Sequence, residues 1–246
     1  MNQSVIKAHE LSRFQFRDTP FVKLMNKRIY NVLFIASQYD MFILEDDGRV
    51  DEQIFNEYTS LNLRYPPRFT QVSTIEHAME ELRSNRYELI ICMPNMDNHE
   101  IFAQAKVIKH KFPYIPIVLL TPFSKSVTRV LEKEDISGMD YVFSWLGNAD
   151  LLLAIIKLIE DKMNVENDVR TVGVQTIMLV EDSVRFYSSA LSLLYKYVLN
   201  ESKEFSKEAL NDHLRMMRMR GRPKILLARN YEEAVNLYIK YGDNML

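Results

Sequence analysis

The chain has 246 residues, 31 basic against 33 acidic side chains, a net charge of -2 and a hydrophobic share of 47%. That length is enough for one large domain or two ordinary ones. The balanced charge excludes a global pull toward nucleic acid or an anionic membrane, and the single cysteine, Cys92, excludes an internal disulfide and a thiol-built zinc cage.

Residues 1–28 are polar and mixed, with Phe14, Phe16 and Phe21 scattered through them, and read as an arm that packs on the body or frays. No apolar h-region marks a secretory signal there. The first apolar run, Tyr30–Ser37, predicts a buried strand. Helical spacing follows over Asp40–Leu63, broken at the acidic turn Glu45-Asp46-Asp47-Gly48 and stopped by Pro66-Pro67. Phe69–Ser73 is a weaker strand, and Thr74 is placed to cap a helix reaching about Arg86. Glu88–Met93 is a third strand, Asn98–Phe112 a helix, Ile115–Thr121 a fourth strand, Ser124–Glu134 a helix and Tyr141–Ser144 a fifth strand. A helix over Asn148–Met163 closes the series.

Alternating strands and helices predict an α/β fold: a doubly wound five-stranded parallel sheet over residues 29–164, covered on both faces. The polar string NVENDVRTVGVQ has no helical period and predicts a linker at 165–175. A second unit, 176–246, opens with a strand at Thr176–Val180. A helical region follows from Val184 to about Arg220, with a break expected near Asn200–Ser202. Pro223 leads into a strand at Lys224–Ala228 and a helix at Tyr231–Tyr241. The longest apolar stretches, Ile115–Leu120 and Leu151–Ile156, fall far short of the ~20 residues of a membrane span. A soluble, cytoplasmic protein is expected.

Two segments resemble the response-regulator receiver family. In IMLVEDS (Ile177–Ser183), Glu181 and Asp182 follow an apolar strand and precede a helix. The resemblance makes them the acidic pair that helps hold Mg²⁺ beside a phosphorylated aspartate, as a hard cation needs convergent carboxylates. The stretch from Val32 to Lys162 resembles a complete receiver in its succession of elements, but its chemistry departs from the family. Ala36 and Ser37 stand where the acidic pair belongs, and Met93 stands where the phosphate-accepting aspartate belongs. Thr121 keeps the fourth-strand hydroxyl, and Ser144 or Trp145 replaces the fifth-strand lysine, depending on a one-residue alignment choice. Asp97 is a substitute acceptor in principle, with a helix N-terminal residue beside the cap Asn98 as the plainer reading. The strings RIYNVLFIASQYDMFILEDDGRVDEQIFNEY and FSWLGNADLLLAIIK are similar to the N-terminal regulatory region of multidomain proteins with a PEP/pyruvate-binding, pyruvate phosphate dikinase-like domain downstream.

The resemblance implies a non-catalytic pseudo-receiver of two-component signalling that acts through protein contacts, as a fragment of a larger protein. An acyl phosphate needs a carboxylate nucleophile, a cation and a positive partner, and the first module has none of the three at the matching places. The second module has two of five strand–helix units, so its third strand is expected just past Leu246, and Mg²⁺ at Glu181 and Asp182 is expected only once that unit is completed. The half sheet is expected to dock on the first module or to pair with a second copy as a homodimer. Two alternatives stand beside this reading: a phosphorelay receiver formed by the completed second module, and a small-molecule or nucleotide-binding α/β domain. DNA binding is the weakest option, as no basic recognition helix is evident.

The remaining features read as structural. Cys92 is expected to be a buried apolar residue. Arg215, Arg218, Arg220, Arg222 and Lys224, with interleaved methionines, read as a solvated helix end, and Trp145 as an interface anchor or a ring over the empty pocket.

Overall fold

Unbroken apolar runs make the strands of this chain, and helices connect them. The computed structural model describes residues 23–44, 50–61, 63, 65–93, 100–122, 134–145, 149–207 and 219–246. Five strands, β1 (Asn31–Ile35), β2 (Arg68–Val72), β3 (Leu89–Cys92), β4 (Ile117–Pro122) and β5 (Tyr141–Trp145), form one parallel sheet in the order β2-β1-β3-β4-β5. The expected α/β class and doubly wound sheet are therefore observed. The order reverses between β1 and β3, which puts the switch point of the sheet at their carboxyl ends.

Alternation of side chains divides the sheet into two apolar faces. Leu33, Ile35, Ile90, Cys92 and Leu119 pack against α3 (Ile75–Ser84) and α4 (Glu100–Lys111). Val32, Phe34, Ile91, Val118 and Phe143 pack against α2 (Val50–Ser60) and the long α5 (Asp150–Val172). A short α1 (Gln38–Leu44) follows β1. Thr74 caps α3 as its sequence suggests, accepting the His77 amide at 3.3 Å. The predicted helix over Ser124–Glu134 except Glu134 itself, the acidic turn at 45–48, Asp97 with Asn98, and Arg215 with Arg218 all lie outside the described residues.

The linker expectation is corrected. Residues 165–172 continue α5, which ends where Gly173 adopts φ 70 and returns its amide to the carbonyls of Asp168 and Val169. Only 173–175 lie between this helix and β6 (Thr176–Val180). Every residue from Leu151 to Asp161 is buried, because α5 has a partner on both sides. One side faces the first sheet; the other meets α6 (Val184–Ser206) and β7 (Lys224–Ala228). A helix enclosed in this way tolerates apolar residues around its whole circumference. The break expected near Asn200–Ser202 is also corrected, since α6 runs through it. Among the described residues no helix is long and apolar enough to cross a membrane.

The second unit repeats the opening of the first bond for bond. β6 and β7 are parallel, with Thr176 beside Lys224 as Asn31 is beside Arg68. The Glu181 amide donates to the Ala228 carbonyl at 3.0 Å, as the Ala36 amide donates to the Val72 carbonyl at 3.1 Å. Asn230 caps α7 (Tyr231–Tyr241) by accepting the Glu233 amide at 2.7 Å, in the place Thr74 holds before α3. Glu181 and Asp182 therefore occupy the positions of Ala36 and Ser37.

Candidate functional site

The carboxyl rim of the first sheet is the place where an α/β fold of this order presents chemistry. Ala36 and Met93 end adjacent strands there, and the Met93 amide donates to the Ile35 carbonyl at 2.9 Å. Both are buried. With Ser37, Ser73, Thr74 and Gln104 they line a cleft of about 280 Å³. Ser37 is committed elsewhere: its hydroxyl donates to Asp40 Oδ2 at 2.6 Å and accepts the Asp40 amide at 3.1 Å. This reciprocal pair is a helix cap on α1, and Asp40 is not among the cleft-lining residues.

Thr121 and Ser144 are register partners on β4 and β5 but do not line that cleft. The Thr121 hydroxyl donates to the Phe143 carbonyl at 3.3 Å. The Ser144 hydroxyl is buried without a partner among the described residues. Trp145 is half-buried against the apolar core and is not among the cleft-lining residues. Of the six residues singled out in the first module, three meet at the switch point and three serve the β4–β5 side. Cys92 is fully buried and its thiol is pushed up to about 12 by burial, the behaviour of an inert core thiol.

At the second rim, Glu181 Oε1 accepts the Ser183 amide at 2.9 Å, while Asp182 is exposed. No group of three acidic, His or Cys side chains gathers among the described residues.

Two other arrangements dominate the polar chemistry. The first seals β5, the edge strand of the first sheet. Tyr187 of α6 donates its hydroxyl to the Val142 carbonyl, and Ser188 Oγ accepts the Ser144 amide at 3.0 Å. The Tyr187 ring stands edge-on to Phe143, with centroids 5.5 Å apart. Burial holds the Tyr187 hydroxyl well above the ordinary tyrosine range, so it stays a donor. An edge strand with free amides and carbonyls is a template for unwanted pairing, and α6 removes that template.

The second is a buried polar stripe on α5. Glu160 accepts the Ile29 amide at 3.1 Å and pairs with Lys157 at 2.7 Å. Asn164 accepts the Lys27 amide at 2.9 Å and donates to the Lys27 carbonyl at 2.6 Å. Asp168 accepts the Met25 amide at 3.2 Å and meets Lys224 Nζ at 3.1 Å. Asp161 takes both arms of the Arg222 guanidinium at 2.7 and 2.9 Å, the Tyr195 hydroxyl at 2.8 Å and the Ile225 amide at 3.0 Å. One helix face thus holds the end of the arm on one side and the second unit on the other. The solvated-end expectation is overturned for Arg222 and Lys224, which are both buried as partners of α5 carboxylates. The missed signal was the recurrence of polar residues at 157, 160, 161, 164 and 168, a helical period that runs from the predicted helix into the string read as a linker.

Lys224 ties folding to pH through its burial. Burial, reinforced by Arg222, lowers its pKa to about 8, against the pull of Asp161 and Asp168. An unfolded lysine titrates near 10.4. Between these values the native state has released a proton that the unfolded chain keeps, so this group raises stability as pH climbs from about 8. Cys92 works in the opposite direction: its unfolded thiol ionises near 8.5 while the native one does not. In a Cys92→Val background, removing this lysine by Lys224→Met is therefore expected to make the slope of the urea midpoint between pH 8 and pH 9 less positive. An unchanged slope would remove Lys224 as its source.

In comparison with known proteins, no family model matches the chain and no curated protein matches it.

Proposed function

We propose that this chain is a non-catalytic signalling module of the response-regulator type, whose first receiver-like sheet takes no phosphoryl group and which works through protein contacts in the cytoplasm. One observation carries the reading: the two strand ends flanking the switch point are Ala36 and Met93, and Ser37 is spent on a helix cap. An aspartyl phosphate needs a carboxylate nucleophile and carboxylates around its cation, and these neutral side chains provide neither. As part of the same proposal, the strings at 28–58 and 143–157 are read as the regulatory region of a larger PEP/pyruvate-binding, pyruvate phosphate dikinase-like protein. Exposing the purified chain to acetyl phosphate with Mg²⁺ is expected to leave its intact mass unchanged. A stoichiometric phosphoryl adduct mapped to residues 29–164 would overturn the proposal.

A second reading has its own support. Because Glu181 and Asp182 sit where the first unit has Ala36 and Ser37, a completed second unit carries the acidic pair of a phosphorelay receiver. Lengthening the chain through a full second sheet and repeating the acetyl phosphate experiment separates the two. An adduct confined to the added part supports the phosphorelay reading.

A further inference from the structure

Among the described residues β7 pairs only with β6, and its other edge is turned toward α5 of the first unit. Amides and carbonyls along a strand point alternately to its two edges. Lys224 gives its amide to the Gln175 carbonyl, and the Ala228 carbonyl accepts the Glu181 amide, so Lys224, Leu226 and Ala228 serve β6. Ile225, Leu227 and Arg229 therefore point their amides outward. Two of these three end on a carboxylate. Ile225 donates to Asp161 Oδ2 at 3.0 Å, and Arg229 donates to Glu233 Oε2 at 2.9 Å. The Leu227 amide, midway between them, has no partner among the described residues, although Leu227 is buried. A buried amide ordinarily finds an acceptor.

Leu227 lies on the wall of a cleft of about 270 Å³ between the two units. Tyr141, Leu158 and Lys162 line it from the first unit, and Leu227, Arg229 and Leu237 from the second. Its charges are unequal. Glu233, also on the wall, is paired with Arg229, whose Nη2 donates to it at 3.0 Å while Nη1 donates to the Asp140 carbonyl at 2.9 Å. The nearby Asp161 is paired with Arg222. Lys162 is exposed, holds Nζ 4.8 Å from the centre of the Tyr141 ring and forms no ion pair among the described residues. The cleft thus combines apolar walls, one uncompensated cation and one amide that lacks the carboxylate its two neighbours have.

We propose that this cleft binds a small organic monocarboxylate, with the Leu227 amide and the Lys162 ammonium as its polar partners and with Leu158 and Leu237 against its apolar body. A carboxylate held by a backbone amide and an ammonium forms charge-assisted hydrogen bonds, the stronger kind. The volume falls just under the usual ligand range of ~300–1,000 Å³, which suits a single-ring or short acyl acid and is too small for a nucleotide. A docked peptide strand is disfavoured, because Asp161 and Glu233 already occupy the edge on both sides of Leu227. The ligand touches both units, so its binding strengthens the hold of one on the other. The site lies apart from Ala36 and Met93 and does not depend on the receiver reading.

The test titrates the full chain, labelled with nitrogen-15, with sodium benzoate. A saturable shift of the Leu227 amide resonance is expected, larger than that of Leu226, whose amide faces β6. Benzylamine and benzyl alcohol, of similar size but without the negative charge, are expected to bind at least about tenfold more weakly. Lys162→Met removes an exposed side chain and is expected to weaken benzoate at least about fivefold, whereas Lys162→Arg is expected to stay within about twofold of the parent chain. Absence of a saturable shift at Leu227 up to about 10 mM benzoate overturns the proposal. So does equal binding of benzyl alcohol, or equal binding of benzoate by Lys162→Met. Slowed hydrogen exchange at Leu227 on adding an extended apolar peptide, without any response to benzoate, would assign the edge to strand docking and overturn it as well.

Discussion

Asp161→Ala is expected to destabilise the chain by about 3–5 kcal/mol, because it strands a buried cation. Asp161 is fully buried and serves four donors: two guanidinium nitrogens of Arg222, the Tyr195 hydroxyl and the Ile225 amide. Arg222 stays enclosed when the carboxylate is removed, and its desolvation is no longer offset. Tyr195 loses its acceptor at a place where burial and the neighbouring carboxylate keep its hydroxyl protonated. A urea titration followed by circular dichroism gives the magnitude, and a loss below about 1 kcal/mol would mean that water reaches the pair. The double variant Asp161→Leu with Arg222→Met is expected to recover most of the loss, since a buried ion pair replaced on both sides is often neutral. Recovery would identify the stranded charge, rather than the lost packing, as the source.

The same pair explains where the sequence was legible and where it was not. Strands showed themselves because a parallel sheet covered on both faces demands runs such as LIIC and NVLFI, and few other structures use them. The Thr74 cap was legible because capping is local chemistry. The extension of α5 through 165–172 was not, because charged and amide side chains ordinarily mark solvent or a turn. Here Glu160, Asp161, Asn164 and Asp168 are buried because their partners arrive from positions 25–29 and 222–225, far away in the chain. Arg222 and Lys224 were misread for the same reason. At the first rim, Ala36 and Met93 directly follow β1 and β3, as the lengths of the two apolar runs suggest. That Ser37 is occupied by Asp40 is a short-range contact the spacing did contain. The covering of β5 by Tyr187 and Ser188 joins two units, and no local pattern announces it.

That covering leads to the second large effect. Tyr187→Ala is expected to cost about 3–5 kcal/mol, the usual range for emptying a buried aromatic site. The residue is 2% exposed, packs edge-on to Phe143 and satisfies the Val142 carbonyl. Tyr187→Phe keeps the ring and loses only the hydrogen bond, so it is expected to cost about 1 kcal/mol. The two variants should also differ in association. Phenylalanine still covers the β5 edge, whereas alanine leaves the carbonyl of Val142 beside a gap, with only the Ser188 bond to the Ser144 amide still covering the edge, and an uncovered edge pairs with another chain. Light scattering on the alanine variant is therefore expected to show a concentration-dependent rise in mass that the phenylalanine variant lacks. If the alanine variant stays monodisperse while losing the predicted stability, α6 contributes packing alone and the edge is protected by something other than Tyr187.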